Sequence, residues 1–186
     1  MKRAPDAELP PAVFWIIPDS ELWGRTSLVR ELVTAVRAEL AKMSEWAPEI
    51  VVVAPCRQGE HKDHSVKRAR LLLDAGFNRV FLSPYQVKQE CFEVLLVPGI
   101  FGVASYQWTL PSADRYNVPL GFLTQVPIKL QKMAAFSQSL LASSIYASRR
   151  GNGSTPEERR FRFEDAVVSE FVWLDRFTAA PRNRTT

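Results

Sequence analysis

The sequence predicts an α/β protein, a Rossmann-like, mostly parallel sheet flanked by helices, and three observations lead there. Apolar runs recur at 12–17, 49–55, 79–82 and 91–97, each closed by proline, glycine, serine or another polar residue. Short continuous apolar runs of this kind suit strands covered on both faces. Between the first three runs lie helical patterns, and strands that alternate with helices imply right-handed crossovers and parallel pairing. Finally, both histidines of the chain fall in the polar stretch Cys56-Arg57-Gln58-Gly59-Glu60-His61-Lys62-Asp63-His64, directly after the second run. That position is the carboxyl edge of a parallel strand, where open α/β sheets bind their ligands.

The elements follow in order. Ala12-Val13-Phe14-Trp15-Ile16-Ile17 is a buried strand closed by Pro18-Asp19-Ser20. Thr26 or Ser27 can cap the next element, in which Leu28, Val29, Leu32, Val33, Val36, Leu40 and Met43 recur at helical spacing, with Arg30, Glu31, Arg37, Glu39 and Lys42 largely opposite. Residues 49–55 form the second strand. A second helix spans 65–75 and stops at Gly76, which suits the left-handed position after a helix. Residues 79–82 and 91–97 form the third and fourth strands, the latter before the turn Pro98-Gly99. The stretch 102–127, rich in proline and aromatic residues, reads as long surface connections, with Tyr106 to Phe122 as the expected seat of substrate selectivity. A helix is expected over 127–147, with Met133, Phe136, Leu140, Leu141 and Ile145 as core contacts. A final helix begins near Pro156, a favoured first helical residue, and the chain closes with Glu170-Phe171-Val172-Trp173-Leu174.

Composition sets the outer limits. With 186 residues, 46% hydrophobic and 24% charged, the chain suits one domain over 12–177, between a flexible start at 1–11 and a flexible tail at 178–186. A domain of this size buries roughly 70% of its unfolded surface. No apolar stretch approaches the roughly 20 residues that a membrane span needs. The charged, proline-containing start offers no signal-peptide core, so a cytoplasmic location is expected. Cys56 and Cys91 then read as thiols. The net charge of +4 reflects arginines at 149, 150, 159, 160, 162, 182 and 184. A solvated face accounts for them, and nucleic acid is not an expected partner, since no recognition motif accompanies them.

The chemistry available to the polar loop is that of two imidazoles and a carboxylate. One histidine can hold a metal while Asp63 orients the other toward substrate. His61, Asp63 and His64 crowd three groups into four positions, which cannot all face one ion. Structural zinc of the usual Cys/His spacing would need more ligands than Cys56 and distant Cys91 supply.

These residues carry a family resemblance. Pro48-Glu49-Ile50-Val51-Val52-Val53-Ala54-Pro55, followed by His61-Lys62-Asp63-His64-Ser65-Val66, resembles the P-D-x-V-x-x-x-P and H-x-D-H-x-x-V signature of the PIG-L/LmbE-like zinc-dependent N-acetylglucosaminyl deacetylases. Residues 128–138 are similar to the family's K-x-x-A helix ending in S-Q, 166–171 to its closing segment around E-x-F, and Phe14 to Leu22 to the strand and P-D-G-x-L loop before its central helix. The resemblance spans about residues 12 to 175 and implies an LmbE-like fold, reduced at its N-terminus. It also implies hydrolysis of an N-acetyl group from an amino-sugar or glycoconjugate, with Zn2+ as cofactor. Carried over residue by residue, His64 is a metal ligand, His61 faces the tetrahedral intermediate, Asp63 tunes His61, and Asp19 is the candidate base. Zinc would activate water, a carboxylate would take its proton, and cation and imidazole would stabilise the oxyanion.

One family motif, H-P-D-D-E, does not occur in the sequence. Setting Ile17-Pro18-Asp19-Ser20-Glu21 on it keeps Asp19 and Glu21 but puts Ile17 and Ser20 at ligand positions. Setting Pro18-Asp19-Ser20 on the later P-D-G loop preserves the spacing, is preferred, and leaves two of three protein ligands to be found elsewhere. Asp19, Glu60, Cys56 and Glu90 are the internal candidates, and a homo-oligomer or a complementary chain is the external one. The alternatives are a metal-free sugar-binding or interaction domain that keeps the fold, and a divergent structural part of an oligomer.

Overall fold

The computed structural model describes residues 9–17, 27–43, 47–56, 62–83, 92–106, 121–142, 144–149, 161–165 and 168–178. An α/β arrangement is present, with one eight-stranded sheet in the order β6-β5-β4-β1-β2-β3-β7-β8. The chain runs β1 (Ala12–Ile16), α1 (Ser27–Met43), β2 (Glu49–Pro55), α2 (Lys62–Asp74), β3 (Arg79–Ser83), β4 (Phe92–Val97), β5 (Phe101–Tyr106) and β6 (Gly121–Thr124). It continues through α3 (Pro127–Ala142), β7 (Ile145–Arg149), β8 (Phe161–Asp165), a 3-10 segment (Val168–Leu174) and the single turn α4 (Asp175–Thr178).

The sheet is mixed, which corrects the expectation of a mostly parallel one. Among the described residues, parallel pairing is confined to β1 with β2 and β2 with β3. The pairings β1/β4, β3/β7, β4/β5, β5/β6 and β7/β8 are antiparallel. Connection geometry accounts for the parallel centre and for the β4/β5 hairpin. The α1 and α2 crossovers are long enough to return the chain in the same direction, whereas the turn at Pro98-Gly99, with Gly99 at φ +74°, can only reverse it.

Successive side chains of the central strands go to opposite faces of the sheet, and both faces are covered. Val13, Trp15 and Ile17 of the first strand region, Ile50, Val52 and Ala54 of β2, and Val80 and Leu82 of β3 share a core with Val29, Val33 and Leu40 of α1 and Ala69, Leu72 and Leu73 of α2. The intervening residues Phe14, Ile16, Val51, Val53, Phe81 and Leu96 meet Leu130, Ala134, Leu140 and Leu141 of α3 and Phe171 and Leu174 beyond it. Helices on both sides explain why the central strands are apolar at every position. Among the described residues no helix is long and apolar enough to cross a membrane.

A polar clamp holds the amino edge of β2 and β3. The Ile50 amide donates to Asn78 Oδ1 at 2.8 Å, the Asn78 amide donates to the Ile50 carbonyl at 2.9 Å, and Arg37 donates to the Gly76 carbonyl and to Asn78 Oδ1. Gly76 has φ +114°, the left-handed conformation expected after α2.

Four other expectations change. The connections expected over 102–127 contain β5 and β6, with 107–120 outside the described residues. The helix expected to reach 147 ends at Ala142, because the Ser144 amide bonds the Leu141 carbonyl at 3.1 Å and its hydroxyl donates to the Leu140 carbonyl at 2.5 Å. Once the helix is stopped, Ile145-Tyr146-Ala147 pairs with β3 as β7. Of the proposed core contacts on α3, Leu140 and Leu141 are buried and Met133 packs at the core margin, whereas Phe136 is exposed. Pro156 lies outside the described residues, and 161–165 form a strand rather than the body of a helix.

Candidate functional site

The carboxyl ends of β1, β2 and β3 lie along one edge of the sheet, since these strands are parallel in register from Ala12↔Glu49 to Pro55↔Ser83. Antiparallel β4 brings its first residues to the same edge through Ile16↔Val94. At this edge the strand order turns back, with β2 on one side of β1 and β4 on the other. Such a reversal opens the crevice in which α/β sheets bind ligands.

Four features converge there. Beyond β2, half-buried Cys56 packs at the margin of the α1/α2 core, and its amide donates to the Ser83 carbonyl at 2.8 Å. Cys56 carries a thiol rather than half of a disulfide. The helix α2 begins at Lys62, so Asp63 and His64 lie in its first turn, and the His64 side chain is exposed. Further along α2, Arg68 Nη1 lies 3.4 Å from the Pro55 carbonyl oxygen, tying the helix to the strand end. On β4, Glu93 is fully buried, with Oε1 accepting the indole N–H of equally buried Trp15 at 2.8 Å.

His64, Lys67, Arg68 and Leu71 follow one another at helical spacing and line an open depression of about 100 Å³. An imidazole, an ammonium and a guanidinium thus share one face of α2 with the apolar side chain of Leu71. This arrangement can donate hydrogen bonds to hydroxyl or anionic oxygens while an apolar ring face rests on Leu71.

The sequence-derived residues distribute unevenly. His64 is at the carboxyl edge, and Asp63 has its backbone in the same helical turn. The side chain of Asp63 and all of His61, Asp19, Glu60 and Glu90 lie outside the described residues. Among the described residues no three of His, Cys, Asp and Glu converge to hold a metal ion. Ile17, set at a ligand position by one alignment, is buried in the core and offers no donor atom.

Sequence reasoning passed over Glu93, Lys67 and Arg68. Glu93 announces itself as the one charge inside the run Cys91-Phe92-Glu93-Val94-Leu95-Leu96-Val97, since a carboxylate within a buried strand requires a partner. Lys67 and Arg68 stand three and four residues after His64, the spacing that puts side chains on one helical face. No family model matches the chain, and no curated protein or solved structure matches it.

Proposed function

We propose that this chain binds an amino-sugar or glycoconjugate at the carboxyl edge of β2, as a PIG-L/LmbE-like protein that hydrolyses its N-acetyl group when a zinc site is completed around His64. The observation that carries the reading is the β2 to α2 unit itself. A buried strand ends at Pro55, and the last histidine of H-x-D-H stands in the first turn of the next helix, exposed and beside donors for sugar hydroxyls.

In this reading His64 is a metal ligand, His61 donates to the oxyanion, Asp63 orients His61, and Asp19 takes the proton of the attacking water. Zinc, when bound, supplies the activated water. A lone imidazole is too few protein ligands for catalytic zinc, so a residue such as Glu60, Cys56 or Glu90, or a group from a second chain, completes the set. Metal analysis and acetate release from N-acetylglucosamine derivatives test this. His64→Ala should lose both zinc and turnover, and His61→Ala should keep zinc and lose turnover. A protein that takes up no zinc excludes the hydrolytic reading.

A second reading is favoured by the His64, Lys67 and Arg68 side chains that line the depression on α2, donors that hold hydroxyls without a metal. Here the same edge binds the sugar without metal, and binding persists in the presence of a chelator.

A further inference from the structure

A second surface lies at the far edge of the sheet, separated from β2 by β5, β4 and β1. The edge strand β6 and the start of α3 carry large apolar side chains in water: Phe122 is 49% exposed, Leu123 62%, Val126 48% and Ile128 52%. Four large apolar side chains exposed within seven residues of one edge suit an interaction surface. Its shape is a wedge. Phe122 pairs with buried Ala104 of the α3-side core and Leu123 with Val103 at the margin of the opposite core, so the two side chains leave the edge on opposite faces. The turn behind them is fixed, since the Val126 amide donates to Thr124 Oγ1 at 3.2 Å and the Val126 carbonyl accepts the amides of Lys129 and Leu130.

Charge identifies the occupant. Lys129 Nζ stands 5.8 Å from the centre of the Phe122 ring, and Lys132 is exposed on the next turn of α3. From Gly121 to Ala142, the span of β6 and α3, the charged residues are Lys129 and Lys132, and no aspartate or glutamate occurs. A second copy pairing through this same edge would set its Lys129 and Lys132 against these. A lipid interface instead accepts protruding apolar groups of any orientation and supplies phosphates for the lysines.

We propose that β6 and the first turns of α3 dock on an anionic lipid bilayer, with Phe122, Leu123, Val126 and Ile128 entering the interface and Lys129 and Lys132 facing lipid phosphates. Insertion is shallow, which leaves the backbone of the edge strand at a depth where headgroup water reaches it.

Co-sedimentation of the full chain with vesicles of phosphatidylcholine alone, or of phosphatidylcholine doped with phosphatidylserine, tests the proposal. The chain should bind the doped vesicles and release them as salt is raised. Lys129→Gln and Lys132→Gln should each lower the partition coefficient roughly fivefold, and Leu123→Asp with Ile128→Asp should abolish binding. All four side chains are exposed, so an unchanged thermal midpoint serves as the fold control; if the aspartate variant fails to fold, the lysine variants still decide. Equal binding to both vesicle types, no binding to either, or a wild-type dimer that Leu123→Asp dissociates would overturn the proposal. Because the patch is remote from His64, His64→Ala should leave vesicle binding intact, so this test fails or succeeds independently of the sugar site.

Discussion

Trp15 and Glu93 meet diagonally across the β1/β4 boundary, indole N–H to carboxylate oxygen at 2.8 Å, with neither side chain exposed. The bond joins the central parallel strands β1–β3 to the antiparallel strands β4–β6 at the point where the strand order reverses. A buried carboxylate that loses a donor bears a desolvation cost of about 1–3 kcal/mol. Trp15→Phe should therefore destabilise the chain by at least that much in urea denaturation, with cavity loss added. A change below about 0.5 kcal/mol, the range of neutral surface substitutions, would show that the contact contributes nothing.

The closing segment should behave as core. Phe171 is buried and packs edge-on against Phe14 and Phe81, with ring centroids 5.6 and 5.4 Å apart. Phe171→Ala should cost about 3–5 kcal/mol. Val172 beside it is 60% exposed, so Val172→Ala should stay within about 0.5 kcal/mol. Equal effects at the two positions in thermal or urea unfolding would contradict the packing.

Gly76 should not tolerate a side chain. Its φ is +114°, and a Cβ there would stand 3.2 Å from Val33 Cγ1 of α1. Gly76→Ala should destabilise by about 1 kcal/mol or more, and a neutral or stabilising result would show a different turn after α2.

Across the amino edge, Arg79 Nε lies 2.7 Å from Glu49 Oε2, but the two side chains are 27% and 43% exposed. Solvent screening limits such a pair to about 0–1 kcal/mol. Glu49→Gln should change the urea midpoint little, and a loss above about 2 kcal/mol would mark a stronger role than geometry gives it.

The central layers were legible because local signals and packing agree. The apolar runs of β1, β2 and β3 and the periodicity of α1 read correctly from the sequence, and Gly76 and Gly99 took the positive φ that their turns require. The edges were not legible. β5 and β6 are recruited by the β4 hairpin, a tertiary event that a proline-rich stretch hides. Ile145-Tyr146-Ala147 continues a helical pattern until Ser144 caps the carbonyls of Leu140 and Leu141. At the site, the edge that carries His64 was legible, but the helix begins at Lys62 rather than 65 and takes His64 into its first turn, and the partner of Glu93 depends on pairing across β1 and β4 that no local signal encodes.

The most direct measurement of the account is calorimetric titration of the full chain with N-acetylglucosamine, with and without Zn2+, for wild type and His64→Ala. Saturable binding by wild type, lost or weakened at least about tenfold in a His64→Ala protein of unchanged thermal midpoint, is the predicted result. Its zinc dependence separates the hydrolytic reading from the metal-free one. No binding under either condition, or identical binding by both proteins, would contradict the placement of the ligand site at the carboxyl edge of β2.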